Sequence, residues 1–499
     1  MNAQKYILSP DAINFPVGDR VAIYHRQLGG LCFLDGEANG ILGQFSRATE
    51  IAAHVLEGED ISRREELIQQ LVLRQLLVPV ERMDAGPEYA PVPQNKVNII
   101  QLILTNACNF GCTYCFEGVQ GVELPREDVV EQYKKIDISR LASPNEIKVN
   151  INESIYASEE RIAHQYDPKN RLMKPKDAVA YVDKALEIAK STGVTEVMLQ
   201  FFGGEPLLNW KAIKAVLDTY GNGAAHGIVI NYSTVTNGSL ISEEVAETFA
   251  RNKVAVCVSF DSPKSTSRPL KNGGDSAPVV MEGLRMLQKH QNRVAINAAL
   301  TSDTWDEFDN SIVDLAYEYG SREIGVVVDF DPTFYSKFGA PAIVEKLWGV
   351  IEYGRGRGVV LTGYWHQIFQ VLLGFDAVSH RGFKNCSAKG AQLSIEPNGS
   401  VFSCKAGSGL YGNVLQGPEL LATEIYRQHA SLRRQNPAFC GGCEIEGFCA
   451  GLCLGPLEKK FGDVASVEPS ACDMYRGITR KLIEAVAPYE VATFDLAPN

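Results

Sequence analysis

The stretch NACNFGCTYCFE, residues 106–117, places Cys108, Cys112 and Cys115 within eight residues. It follows VNIIQLILT, residues 97–105, a run apolar enough to read as a buried strand. The same strand reading recurs downstream in EVMLQFFGGE from Glu196, IVINYSTVTNG from Ile228, VAVCVSFD from Val254, RVAINAALT from Arg293 and EIGVVVDF from Glu323. Between them, KPKDAVAYVDKALEIAKS, SEEVAETFARNK, APVVMEGLRMLQKH and TWDEFDNSIVDLAYEYG have helical spacing, the last with Thr304 or Asp303 as its cap. Six β-α units predict an α/β fold with a parallel sheet, closed or partly closed into a barrel. Functional residues of such sheets gather at the C-terminal ends of the strands. The cysteine triplet, GGEP from Gly203, TNG from Thr236 and SFD from Ser259 all fall there.

The rest of the chain narrows the chemistry. Its 499 residues exceed one ordinary core, so two to four domains are expected. A net charge of −12 repels phosphate backbones and sets the reading against nucleic acid. The opening MNAQKYILSPDAINFPVGDR lacks a basic segment followed by an apolar one, and no apolar run reaches membrane-spanning length. A cytoplasmic protein with no membrane partner is therefore expected. Cytoplasmic thiols stay reduced, so clustered cysteines point to metal or catalysis rather than disulfides. Of the twelve cysteines, three lie at 108–115 and seven between Cys386 and Cys472. Cys32 and Cys257 stand alone and read as small buried hydrophobes. Cys257 shares strand parity with Ser259 and Asp261, the face that can look into a barrel.

Residues 1–84 read as a separate α+β unit. YILSP, RVAIYHR, GLCFLDG and VPVER are its strands, and EANGILGQFS, ATEIAAHVLEG and SRREELIQQLVLRQLL its helices, with Ser62 capping the last. This layout fits a winged helix. Residues 85–96, rich in proline, form a linker. The barrel is assigned to 97–340, with a polar insertion at about 125–173. A bridging region spans 341–383; its YWHQ, from Tyr364, reads as a core aromatic stripe. Residues 384–475 are the cysteine-rich unit and 476–499 a tail.

The triplet spacing is C-x3-C-x2-C. A structural zinc site wants four protein ligands. Three thiolates suit an iron–sulfur cube in which three irons are held by protein and the fourth is open to a small molecule. In this spacing, with Tyr114 before the last cysteine, the chain resembles the radical S-adenosylmethionine (radical SAM) enzymes over roughly Val97 to Phe330. The resemblance implies a partial (β/α)6 TIM-like barrel. It implies that Cys108, Cys112 and Cys115 hold a 4Fe–4S cluster, and that S-adenosylmethionine chelates the open iron and yields a 5′-deoxyadenosyl radical. It also carries the cofactor contacts. Gly203 and Gly204, with Glu205 and Pro206, would meet the methionine amino group through a closely approaching backbone. Thr236, Asn237, Ser259 and Asp261 would lie near the nucleoside, and Tyr114 would reach the adenine through its backbone. Arg268 would pair with the methionine carboxylate. Ser262 stands where relatives carry glycine.

The second cysteine region runs C-x12-G-x4-C, then C-x2-C-x5-C-x3-C, then a final cysteine. A zinc ribbon is the bland alternative, yet seven cysteines do not divide into closed four-thiolate sites. The pattern resembles the SPASM domain of radical SAM peptide-modifying enzymes, which implies two auxiliary 4Fe–4S clusters and three clusters in all. On that resemblance Cys440, Cys443, Cys449 and Cys472 hold one. Cys386, Cys404 and Cys453 hold the other, its fourth position either His380 or open to substrate. Relatives that oxidise a sulfatase residue carry an aspartate after the cysteine matching Cys404; here Lys405 follows, which counts against that reaction.

The N-terminal layout resembles the winged-helix element that binds the leader of a ribosomally made peptide by strand addition. Together these resemblances imply a maturase of a ribosomally synthesised precursor peptide. Its product would be a thioether, a carbon–carbon cross-link, or a backbone excision leaving a β-amino acid. An external donor, flavodoxin or ferredoxin, would supply the electron, and the insertion would dock a small accessory protein or shape the peptide channel. Two other classes compete: a SPASM-type dehydrogenase acting on a protein or small molecule, and a non-enzymatic iron–sulfur or zinc scaffold.

Overall fold

The computed structural model describes residues 4–51, 61–86, 96–115, 172–373, 386–407, 409–431, 437–447, 449, 453 and 469–488. The expected insertion, apart from Leu172 and Met173, lies outside the described residues, as does His380.

The first unit builds two antiparallel three-stranded sheets. Strands β1 (Lys5–Leu8), β5 (Thr49–Glu50) and β6 (Leu77–Pro79) form one, in the order β5-β1-β6; β2 (Ala12–Val17), β3 (Arg20–His25) and β4 (Gly29–Leu34) form the other. Helix Gly36–Gln44 is capped by Asp35, whose carboxylate accepts from Ala38 N at 2.8 Å. A second helix spans Ile61–Leu73 and encloses Ser62, so Ser62 is not its cap. Of the segment expected to be helical from Ala48, Thr49 and Glu50 pair with β1 as a strand, and residues 52–60 lie outside the described ones. Ile23, Cys32, Leu34, Ile41, Phe45, Leu67 and Leu71 close the core, which places Cys32 where its apolar character predicts.

His25, at the end of β3, is buried, and burial lowers it from 6.5 to about 4. The unfolded chain takes up that proton below 6.5, the folded chain only below about 4. Stability is therefore complete above 6.5 and is lost as pH falls toward 4, by about 3 kcal/mol for this group. Melts of the wild type between these pH values are expected to show the loss, and a His25→Asn variant a flatter profile.

Among the described residues the central sheet has ten strands. β7 (Ile99–Ile103), β8 (Glu196–Phe202), β9 (Val229–Thr236), β10 (Ala255–Ser259), β11 (Val294–Leu300) and β12 (Glu323–Val328) are the six expected strands, all parallel. A seventh, β13 (Val360–Thr362), extends the parallel run from within the expected bridge. On the far side β14 (Gln392–Ile395) pairs parallel with β7, followed by antiparallel β15 (Ser400–Phe402) and β16 (Leu410–Asn413). Among the described residues the sheet is open, with β13 and β16 as its outer strands. The second cysteine region thus grows out of the sheet that carries the first.

Helices Pro175–Ser191, Trp210–Tyr220, Glu243–Arg251 and Ala277–Lys289 alternate with the strands and bury one apolar face each. The helix expected to start near Thr304 begins at Ser311. Thr304 instead anchors a turn, its hydroxyl donating to Ala299 O at 2.6 Å. Helix Pro469–Val486 crosses the expected 475/476 boundary, carries Cys472, and packs so closely on helix Ala340–Arg357 that a Cβ at Gly477 would stand 3.0 Å from Val344.

Candidate functional site

β7 delivers the cysteine loop to the C-terminal edge of the sheet, and the segment after β10 holds it there. Phe110 bridges Leu270, Gly111 N donates to Pro269 O at 2.8 Å, and Thr113 N donates to Ser267 O at 2.9 Å. A cavity of about 630 Å³ opens against this loop. Cys108, Cys112, Cys115, Tyr114, Gly203, Gly204, Thr236, Asn237, Ser259, Asp261 and Arg268 all line it. Four strand ends and a loop, far apart in sequence, meet as the strand-end rule predicts.

Glu205 lies beneath this wall rather than on it. Its fully buried carboxylate accepts from Thr236 Oγ1 at 2.7 Å, Asn237 N at 2.7 Å and Leu207 N at 3.0 Å. Burial raises it to about 7, against the pull of these donors. It ties the ends of β8 and β9 together. The paired glycines have a related task. A Cβ on Gly203 would stand 2.4 Å from Thr105 O, and one on Gly204 would stand 2.3 Å from Ala107 O. Their bareness admits the backbone of the cysteine loop, a reason the sequence reading assigned to a ligand.

Asn237 donates to Asn109 Oδ1 at 2.7 Å and reaches Cys108 Sγ at 3.8 Å. Tyr114 donates its phenol hydrogen to Asp261, and Arg268 Nη1 donates to the Tyr114 oxygen at 3.4 Å. Arg268 Nε is buried with no hydrogen-bond partner among the described residues, a spare donor on the wall of the cavity. Burial raises the Cys108 and Cys112 thiols, so loading a metal there displaces protons.

A tetrahedral zinc site, with Zn–S bonds of about 2.3 Å, holds its sulfurs roughly 3.8 Å apart. Among the described residues, the one set of three ligand-type side chains with donor atoms within 4.8 Å of one another is Glu243, Glu247 and His290, on the surface. Three thiolates facing a cavity fit an iron–sulfur cluster with an open position.

The second region brings its cysteines near one another, and Cys449, Cys453 and Cys472 all act on Tyr475. Burial pushes the Cys472 thiol up to about 12, with Cys449, Cys440 and Cys443 adding to the shift, so these four are electrostatic neighbours. Arg476 donates to Cys443 Sγ at 3.7 Å. Cys386 and Cys404 pack on Ala388, and Cys386 and Cys453 both act on Tyr364. Lys405 is buried; its Nζ donates to Asn106 Oδ1 at 2.5 Å and stands 3.8 Å from Glu396, which also accepts from Asn106 Nδ2 at 3.2 Å. The residue after Cys404 therefore ties this region to the first cysteine loop.

Asn297, Asp329, Asp331 and Ala406, which were not singled out from the sequence, line the cavity as well, as does Tyr364. Asn297 and Asp329 sit on or just past β11 and β12, where the strand-end rule would have found them. Tyr364 was placed in a core stripe; Trp365 beside it is core, but Tyr364 faces the cavity. Cys257 is half-buried on the Ser259 face of β10 and does not line the cavity; burial pushes its thiol up to about 12, which suits an inert filler.

The Radical SAM superfamily profile matches residues 102–315. Over 495 residues the chain is 34% identical to the radical SAM cyclopropyl synthase TigE of Paramaledivibacter caminithermalis, covering 97% of each. It is 24% identical over 384 residues to the serine-type anaerobic sulfatase-maturating enzyme of Bacteroides thetaiotaomicron, covering 68% of this chain and 86% of that one. The solved structure of native anSMEcpe with bound AdoMet shares the fold, with a TM-score of 0.58 at 18% identity, covering 78% of this chain and 99% of that one. The chain belongs to the radical SAM superfamily. It is an enzyme of that class, for which S-adenosylmethionine and an iron–sulfur cluster are the expected cofactors. Among the described residues no helix is long and apolar enough to cross a membrane.

Proposed function

We propose that this enzyme matures a ribosomally synthesised precursor peptide by closing a cyclopropane ring within one of its residues. The observation that carries the reading is the extent of the match to a cyclopropyl synthase, 97% of both chains, so that the N-terminal unit and the second cysteine region are included. When bound, the cluster and S-adenosylmethionine supply a 5′-deoxyadenosyl radical that takes one hydrogen atom from substrate.

The chain's own residues arrange this. Cys108, Cys112 and Cys115 would hold the cluster. Arg268, with its spare Nε donor, would take the methionine carboxylate. The Gly203–Gly204 strand end would face the amino group, and Thr236, Asn237, Ser259 and Asp261 the nucleoside. Glu205 and the Tyr114 phenol act as positioning groups. Cys440, Cys443, Cys449 and Cys472 would hold one auxiliary cluster, and Cys386, Cys404 and Cys453 the other. Ring closure removes two hydrogens from the residue. One would leave as the abstracted atom and the other as a proton, and an auxiliary centre, when bound, would supply the acceptor for its electron. The Lys405 amine is committed to Asn106 and Glu396, which speaks against a base at that position and against sulfatase maturation. The N-terminal unit, with its outer strands β2, β4, β5 and β6, would take the leader as an added strand.

The test is co-production with short peptides encoded beside the gene, followed by mass spectrometry and NMR. A product lighter by two hydrogens and carrying a three-membered ring is expected. A cross-link between residues or an excised backbone fragment would overturn the ring-closing reading.

A further inference from the structure

The cavity is lined by residues of the second cysteine region as well as by the triplet. Tyr364 opens helix Tyr364–Leu372 directly after β13 and lines the cavity beside Ala406 and Cys453. Its ring meets Phe330 edge-on, with centroids 5.8 Å apart. A Cβ on the preceding Gly363 would strike the Trp365 ring at 2.3 Å, so the turn presenting the phenol is tightly packed. Tyr364 and Cys453 line the same cavity with the phenol within reach of the Cys453 sulfur, and Cys386 lies within electrostatic reach. Cys386 shares its packing on Ala388 with Cys404. One side chain therefore touches both the reaction space and the group Cys386, Cys404 and Cys453.

Hydrogen bonds to ligating sulfurs draw charge off an iron–sulfur cluster and raise its reduction potential. We propose that Tyr364 is a positioning residue for electron transfer, its O–H donating to the Cys453 sulfur and setting the potential of the cluster held by Cys386, Cys404 and Cys453. The proposal rests on the reading above that these cysteines hold a cluster. The step it serves balances. The substrate radical would become a cation by giving up one electron, for which the cluster, when bound, would be the acceptor. The cation loses one proton to a carboxylate of the cavity wall as the carbon–carbon bond closes. Tyr364 keeps its proton throughout. The phenol must hold a cluster reducible enough to accept that electron, and its ring fills the wall between donor and acceptor.

The experiment uses full-length protein carrying Cys108→Ala, Cys112→Ala and Cys115→Ala, so that only the second region binds iron. It is reconstituted anaerobically and titrated by EPR. Adding Tyr364→Phe is expected to leave iron and sulfide unchanged and to move one midpoint negative by about tenfold in the reduction equilibrium, ~59 mV for one electron. The other centre, held by Cys440, Cys443, Cys449 and Cys472, is the internal control and stays put. Difluorotyrosine at 364 keeps the ring and strengthens the donor, so the same midpoint is expected to move positive. Unmoved midpoints in both variants, with iron retained, would overturn the inference. So would loss of iron on Tyr364→Phe, which would make the phenol a ligand. A parent protein with no iron at these cysteines would instead sink the underlying reading, and the inference with it.

Discussion

Exchange of Cys112 for alanine is expected to abolish reductive cleavage of S-adenosylmethionine while iron bound through the second cysteine region is retained. The loop itself should survive. Its course is fixed by backbone contacts to Ser267, Pro269 and Leu270 and by Asn109 packed against Asn237, none of which uses the Cys112 thiol. The loss is therefore chemical. With two thiolates in place of three, an iron–sulfur cube lacks a ligand at a second corner. Burial raises the Cys112 thiol, so its metal-bound form depends on the cluster to displace the proton. Iron and sulfide should fall by one cluster's worth, and 5′-deoxyadenosine in an anaerobic assay with dithionite should fall below detection. Undiminished cleavage would mean that the radical is generated elsewhere in the chain.

The same loop explains why so much of the site was legible in the sequence. Cys108, Cys112 and Cys115 are local, and each strand end carries its own signature, so β7 to β12 and their cavity-facing residues could be read segment by segment. What escaped depends on long-range pairing. β13 has three residues, too short for a period to register. β14 finds its place only by pairing with β7, Gln392 against Ile99, which no local pattern announces. Tyr364 follows from β13, and once that strand was missed its aromatic neighbours read as core. The bond between Asn106 and Glu396 spans 290 residues, so the tie between the two cysteine regions was equally out of reach. Glu205 and the paired glycines were recognised as important, but their physical task, holding loop to strand, needed coordinates.

Gly204→Ala tests that task and should have a large effect for a single methyl group. The Gly204 N–H donates to Thr105 O at 2.8 Å and the next N–H, of Glu205, donates to Ala107 O at 2.8 Å. The new Cβ would lie 2.3 Å from Ala107 O, 2.6 Å from Ala107 C and 3.2 Å from Cys108 N. These are backbone atoms, so no side chain can swing aside. Gly204 does not have a positive φ, so the effect is steric and separable from backbone strain, unlike that at Gly203, where φ is +148. Overpacking of this kind costs about 1–3 kcal/mol. The relief is movement of the loop away from the strand end, which displaces Cys108. A shift of that scale at a reacting centre lowers rates on the order of 10²-fold. A drop in melting temperature, weaker iron retention and slower cleavage are expected together. Gly349→Ala is the control: Gly349 is exposed within helix Ala340–Arg357 with nothing inside 4 Å of a new Cβ, and it should gain about 1 kcal/mol of helix propensity. If Gly204→Ala kept its melting temperature and its cleavage rate, the strand end could not be the support of the cysteine loop, and the glycines would have to be explained by a bound ligand after all.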